Sequence, residues 1–390
     1  MNFQEKRAIC SAFQPFGTTI FTEINRLSAL AGAINLSQGF PDFDGPQAIR
    51  RIAAEHILEG PNQYCPPHGV PSLREAISRK VRRFYGVEVD PEREITVTCG
   101  ATEAISSALL GLLEPGDEVI LFEPCYDLYP PLVARAGAKA VYVPLERPEF
   151  HLPYHQLKQV FGPKTRLIII NNPLNPIGKV FSREELEFIS GLCQHYDVIA
   201  LSDEVYEHIV YDGREHIPLF KIPALRDRSL VISSTAKTFS MTGWKIGYSI
   251  GRPWLTEAVR MAHQFLTFCT PSALQEAMAR AMDLEDDYYK NLLALYTKKR
   301  ELLSQALEDL GLRVLWPEGA YYTCISIDGL GFEDDMAFCR YLIDEVGIAA
   351  IPCSYFWHQR RGGRDLVRFC FCKTDDVLDQ AIERLKRWRR

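Results

Sequence analysis

Residues 93–119 read REITVTCGATEAISSALLGLLEPGDEV, and this stretch decides the fold. Ile95 to Thr98 is a short β-branched run that suits a strand. Cys99 and Gly100 interrupt it, and the apolar residues beyond them recur at helical spacing. Pro115, Gly116 and Asp117 then stop the helix before a second apolar run, EVILF at 118–122. Strand, turn, helix, strand is the repeat from which a parallel sheet is built.

The same alternation continues along the chain. TRLIIINNP (165–173), YDVIALSDE (196–204) and RSLVISSTAK (228–237) are apolar runs ended by polar residues, with helical segments such as Arg183 to His195 between them. Strands apolar on both faces belong to a sheet covered by helices on each side. Past about Pro271 the character changes. A long helical stretch, Ala273 to Leu310, precedes LRVLWPEGAYYTCISI (312–327), a helix near Met336 to Glu345 and LVRFCFC (366–372). These read as a smaller α+β domain. The expected division is an N-terminal segment at 1–45 packing with the small domain, a large domain at 46–275 and a small C-terminal domain at 276–390.

Composition narrows the function. The chain has 390 residues, 47% hydrophobic and 24% charged, with a net charge of −6. Such a balance argues against a general affinity for nucleic acid or acidic membranes. RRGGR at 360–364 is too short to reverse it. The 11 cysteines include no C-x-x-C pair. Alternation through RFCFC puts Cys370 and Cys372 on one face of a strand, as reduced core residues rather than a disulfide or metal site. No run is long enough to span a membrane, and the charged opening MNFQEKRAIC lacks the apolar core of a signal peptide. A cytoplasmic location is the expectation.

Ligands of open parallel sheets bind beyond the carboxyl ends of the strands. Four strand ends here carry unusual residues: GATEA (100–104), NNPLNPIG (171–178), SDEVY (202–206) and SSTAK (233–237). GATEA offers free N–H groups and a hydroxyl at a helix start, which suits an anion, though a plain N-cap by Thr102 explains it equally well. Ser234 and Lys245 could add a hydroxyl and a positive charge to that anion. Asp203, at a buried strand end, needs a partner such as a protonated ring nitrogen. Asn175 and Tyr206 can donate to an oxygen between them, and Lys237 can present an amine to a carbonyl.

Taken together, these motifs resemble the class I/II aminotransferases of fold type I, which use pyridoxal 5′-phosphate (PLP). NPLNPIG is similar to that family's N-P-x-N-P-T-G, SDEVY to its D-E-x-Y, SSTAKTFSMTGWKIGY (233–248) to its S-x-x-K segment and VRFCF (367–371) to its terminal arginine element. The resemblance runs from about Gly17 to the C-terminus. NLSQGFPDF (35–43), NQYCPPHGVPSLREA (62–76) and GATEA look most like the methionine, kynurenine and glutamine transaminase K subgroup.

The resemblance implies a PLP-dependent transferase fold of type I, with a mostly parallel central sheet and a smaller domain. It implies that Lys237 binds the cofactor covalently and, once released by substrate, serves as the base at Cα. Asp203 would hold the pyridine nitrogen protonated, while Asn175 and Tyr206 bind the ring oxygen. Tyr126, which on its own reads as core, would stack on the ring. Ala101, Thr102, Ser234 and Lys245 would grip the phosphate. Arg368 would clamp the substrate carboxylate, where an ion pair on an edge strand is the plainer alternative, and Gly39 would let the backbone approach that carboxylate. Phe21 and Phe268 correspond to positions lining the side-chain pocket, although core packing suits two phenylalanines as well. Tyr64 would reach the phosphate of a neighbouring subunit, so a homodimer is implied.

Three residues depart from the family's pattern. Lys245 stands where many relatives carry arginine, Ile177 replaces a threonine, and Cys269 sits where kynurenine-type relatives often have histidine. The expected activity is amino transfer from an apolar, thioether or aromatic L-amino acid, methionine favoured, to a 2-oxo acid. A cysteine-conjugate β-lyase or a kynurenine or glutamine transaminase is the alternative. GYSIG (247–251) matches the G-x-S-x-G pattern of serine hydrolases, but KIGYSI reads as one strand running through Ser249 with no helix directly after it.

Overall fold

The computed structural model describes residues 9–388; the N-terminal stretch read for a signal peptide lies mostly outside them, in residues 1–8. Helix α1 (Ile20–Ala31) and the short β1 (Ile34–Asn35) come first; past helices at Gln47–Glu59 and Pro71–Tyr85 lie β2 (Ile95–Cys99), α2 (Gly100–Leu112), β3 (Glu118–Glu123), β4 (Lys139–Pro144) and β5 (Thr165–Asn171), with short helices at Tyr129–Arg135 and Tyr154–Val160 before β4 and β5. Then come α3 (Arg183–Tyr196), β6 (Ile199–Asp203), β7 (Ser229–Ser234), the single turn α4 (Thr235–Thr238), β8 (Ile246–Gly251) and α5 (Pro253–Leu266). Helix α3 starts on a capping box, in which the Ser182 hydroxyl and the Glu185 carboxylate each accept the other's backbone N–H.

Strands β2 to β8 form one seven-stranded sheet in the order β2-β8-β7-β6-β5-β3-β4. Every pair is parallel except those made by β8, which runs antiparallel to both β2 and β7. Alternate residues feed two separate cores. Leu167, Ile169, Leu201 and Leu230 pack with Leu109 of α2 and Val259 of α5, while Ile168, Ile170, Ala200 and Val231 face the other way. The sheet is therefore covered on both faces, as its unbroken apolar strands require.

Beyond it lie α6 (Ser272–Met282), α7 (Asp286–Asp309), β9 (Arg313–Leu315), β10 (Tyr322–Ser326), α8 (Asp335–Tyr341), β11 (Ile348–Ala349), β12 (Ile351–Pro352), β13 (Leu366–Cys370) and α9 (Asp375–Leu385). The long helix expected from Ala273 to Leu310 is two helices, divided after Met282. A four-stranded antiparallel sheet, β12-β13-β10-β9, forms here, and β1 pairs in parallel with β11. Cys370 and Cys372 do share one side, with Sγ atoms 3.0 Å apart, and all 11 cysteines are free thiols. Among the described residues no helix is long and apolar enough to cross a membrane. Ser249 lies in the middle of β8, is 1% exposed and pairs with Thr96 and Ile232, so it sits on no strand-to-helix elbow.

Candidate active site

The topology brings the four unusual strand ends together. Strands β2, β5, β6 and β7 all point the same way, so Cys99, Asn171, Asp203 and Ser234 finish on one edge. The reversed β8 starts at that edge, which carries Lys245 there from the opposite end of a strand. A cavity of about 310 Å³ opens at this place.

At one end of the cavity is the start of α2. No side chain caps it, leaving its first N–H groups free. Gly100 has φ +73°, and a Cβ there would lie 3.2 Å from Lys245 Nζ. At Gly247 a Cβ would fall 2.4 Å from the Gly100 carbonyl carbon. The two glycines thus bring β8 and the lysine close to the helix start, making a cradle that a larger residue would fill. Lys245 itself is held in the left-handed region, φ +54°. Ser234 caps the short α4 by accepting the Ala236 N–H, and its hydroxyl donates to Ile246 O at 3.2 Å.

Asp203 occupies the middle. It is 5% exposed, and its described partners, Tyr129 Oη at 2.7 Å and the Val205 N–H at 3.4 Å, are both uncharged. Burial pushes its carboxyl up to about 6, against which the Tyr129 hydroxyl works. The Asn171 side chain ties the loop to this strand, donating to Asp203 O at 3.0 Å and accepting the Asn175 N–H at 2.8 Å.

At the far end stand Lys237 and Arg368. Burial lowers the Lys237 amine below the ordinary lysine value, and Nζ donates to Gly39 O at 3.3 Å. The same carbonyl accepts Tyr321 Oη at 2.6 Å. Arg368 is 0% exposed and reaches only neutral oxygens, Asn175 Oδ1 at 2.7 Å and Ser37 O at 2.8 Å. Its buried Nε has no partner. An enclosed guanidinium without an anion is costly. A ligand carboxylate would complete it.

Twelve of the residues singled out from the sequence line this one cavity: Phe21, Gly39, Ala101, Thr102, Tyr126, Asn175, Asp203, Tyr206, Ser234, Lys237, Lys245 and Arg368. Two do not. Tyr64 and Phe268 pack edge-to-face on one another, 5.2 Å between ring centroids, at 84% and 44% exposure on a different face. Sequence reasoning missed Tyr322, Tyr129, Asn171 and Ser37. The doubled asparagine of NNP and the paired tyrosines at the start of β10 were the available signals.

The donor set fits PLP on three observations: a cradle at an uncapped helix start, a buried carboxyl with no ion-pair partner among the described residues, and a half-buried amine within the same cavity. The comparisons with known proteins agree. Residues 31–385 match the family described as aminotransferase class I and II. A probable N-succinyldiaminopimelate aminotransferase of Mycobacterium tuberculosis is 43% identical, over 96% of this chain and 97% of its own. The methionine aminotransferase of Escherichia coli is 39% identical over 96% of this chain and 97% of its own. The solved structure of the N-succinyldiaminopimelate aminotransferase from M. tuberculosis superposes with a TM-score of 0.94 at 44% identity, covering 97% of this chain and 99% of that one. With a matching family over most of its length and a site that fits the family's cofactor, the chain belongs to the class I and II aminotransferases, PLP-dependent enzymes of fold type I.

Proposed function

We propose that the enzyme moves the amino group of an apolar, thioether or aromatic L-amino acid, methionine favoured, to a 2-oxo acid. The observation carrying this reading is the setting of Arg368. It presents a buried, unmatched cation in the same cavity as Lys237, with the ring of Phe21, which also lines that cavity, 5.3 Å from its guanidinium carbon. A carboxylate held there leaves the rest of the amino acid against apolar walls. Among the described residues the cations lining the cavity are Lys237, Lys245 and Arg368, each with a proposed task, so a second substrate carboxylate finds no further lysine or arginine among them. A donor screen with L-methionine, L-kynurenine, L-phenylalanine and N-succinyl-LL-diaminopimelate, reading oxo-acid product, tests the assignment. Methionine should give the highest kcat/KM. A preference for the succinylated substrate would place this chain's chemistry with the M. tuberculosis relative.

In this reading PLP supplies the electron-accepting ring and the carbonyl that takes up and returns the amino group. The chain's residues do the rest. Arg368 orients the substrate by its carboxylate, and Lys237, with its lowered pKa, moves the proton at Cα. Asp203 would hold a proton on the ring nitrogen, and Tyr126, which lines the same cavity, would pack against the ring. Asn175 spends its Oδ1 on Arg368, which leaves its NH₂ to join Tyr206 at the ring oxygen. Ala101, Thr102, Ser234 and Lys245 hold the phosphate at the α2 start.

Lys245→Ala tests the last of these roles. It removes one charge-assisted contact from a site that keeps the others. PLP affinity should fall roughly ten- to a hundredfold, the worth of one such contact. Activity should return as PLP is added to dialysed enzyme; a variant that stays inactive at saturation contradicts a purely electrostatic role.

The proposal extends to assembly. Tyr64 and Phe268, with Phe265 at 83% and Leu58 at 82% exposure, give apolar surface suited to a second copy of the chain. A homodimer would give Tyr64 and Phe268 a partner's site to reach. A division at 1–45, 46–275 and 276–390 is supported by the confinement of the seven-stranded sheet to 95–251 and by the β1–β11 pairing. Eleven free thiols accord with a cytoplasmic location.

A further inference from the structure

Tyr322 is the first residue of β10, and no part of the reading above uses it. Its side chain lines the cavity, and the residue is only 3% exposed. It touches three of the assigned residues at once. Its ring lies 4.0 Å from the Arg368 guanidinium carbon, and its hydroxyl oxygen is 2.8 Å from that of Tyr206. A Cβ added at Gly39 would come within 2.0 Å of the same hydroxyl.

Two hydroxyls at hydrogen-bond distance share one hydrogen, and the other hydroxyl keeps its own hydrogen for a third group. If Tyr206 donated to Tyr322, it would have none left for the cofactor's ring oxygen, which in its ionised form accepts and has no hydrogen of its own to give. Tyr206 serves that oxygen only when Tyr322 is the donor. A hydroxyl that accepts a hydrogen bond also becomes a better donor. The other titratable groups around Tyr206 are Tyr126, Tyr321, Arg368 and Lys237; the amine of the last stands 6.0 Å from the Tyr206 ring centroid.

We propose that Tyr322 is a positioning residue with two functions: its hydroxyl donates to Tyr206 and so commits the Tyr206 hydrogen to the cofactor, while its ring backs the plane of Arg368. It couples cofactor and substrate recognition through one side chain. The inference rests on the assignment of Tyr206 to the ring oxygen.

The test is a pH titration of the bound cofactor's absorbance in the holoenzyme and in Tyr206→Phe, Tyr322→Phe and Tyr322→Leu, together with kcat and KM for the best donor of the screen. A donor to the ring oxygen favours its ionised form, so losing the donor raises the midpoint. Tyr322→Phe should raise it by about 0.5–1 pH unit, in the direction of Tyr206→Phe and by less. Its kcat should fall roughly three- to tenfold with KM within about twofold, because the ring under Arg368 remains. Tyr322→Leu should add a rise in KM of about tenfold, from loss of the ring. A midpoint that moves in Tyr206→Phe and not in Tyr322→Phe overturns the inference and leaves the Tyr206 assignment standing. One that moves in neither removes the assignment and the inference with it. A Tyr322→Phe effect on KM alone also overturns the hydroxyl's role.

Discussion

Lys237→Ala is expected to bind PLP and to show no useful turnover at any cofactor concentration. The phosphate cradle at α2 and the Asp203 carboxyl are untouched by the change, so the cofactor keeps its noncovalent contacts. What disappears is the amine held at Gly39 O, which burial lowers below the ordinary lysine value. Among the described residues Lys245 is the one other lysine lining the cavity. Lys245 lies over the helix start, beside Gly100. Loss of a positioned acid–base group costs about 10²–10⁴-fold, and the covalent role adds to that. Borohydride treatment of the native holoenzyme should fix the cofactor to Lys237, as read by peptide mass spectrometry. An adduct on Lys245, or recovery of Lys237→Ala by added PLP, would falsify the assignment.

Asp203→Asn should retain PLP and lose roughly 10²–10³-fold in kcat, the size seen when a preorganised charge partner is removed. An amide oxygen can still accept the Tyr129 hydroxyl, so the local bonding survives. It carries no charge with which to keep a ring nitrogen protonated. Near-normal turnover of this variant would show that the carboxylate has another task. The cofactor-free protein gives a second readout. Burial raises the Asp203 carboxyl from 3.8 to about 6, so the folded chain binds its proton more tightly than the unfolded chain does. A raised carboxyl contributes stability below pH 4 that is lost as pH climbs through 6, a swing of order 3 kcal/mol. Cofactor-free Asp203→Asn should therefore gain in thermal midpoint relative to the native chain as pH rises from 4 to 7. PLP should reverse the comparison, since only the native carboxylate gains a cation.

Most of this site was legible because strand ends are written in the sequence. A buried parallel strand must be apolar throughout and must stop in something polar, so GATEA, NNPLNPIG, SDEVY and SSTAK stood out. Direction was not legible. Buried antiparallel and parallel strands carry the same apolar run, and nothing in KIGYSI marks β8 as reversed. That reversal explains why Lys245 shares an edge with residues at the opposite ends of other strands. The break after Met282 was hidden because Leu284 and Tyr288 continue an apolar period across it. Tyr322 was hidden for a different reason. In AYYTCISI it reads as one more core aromatic, and only the fold shows its hydroxyl meeting Tyr206. Tyr64 and Phe268 were matched by resemblance alone, and no local pattern says which surface a ring will occupy.

The partners of Arg368 set an order of manufacture. Ser37 and Arg368 are 331 residues apart in sequence, and Asn175 and Arg368 are 193 apart. The cradle, Asp203 and Lys237 all lie between Gly100 and Lys245, within the stretch of chain, 95–251, that builds the seven-stranded sheet. During synthesis that sheet can close while the last third of the chain is still untranslated. The contacts of Arg368, the proposed carboxylate clamp, cannot. The nascent chain thus assembles the proposed place for its cofactor well before Arg368 can meet Asn175 and Ser37, and the final strand to emerge, β13, carries the residue proposed to grip the substrate carboxylate.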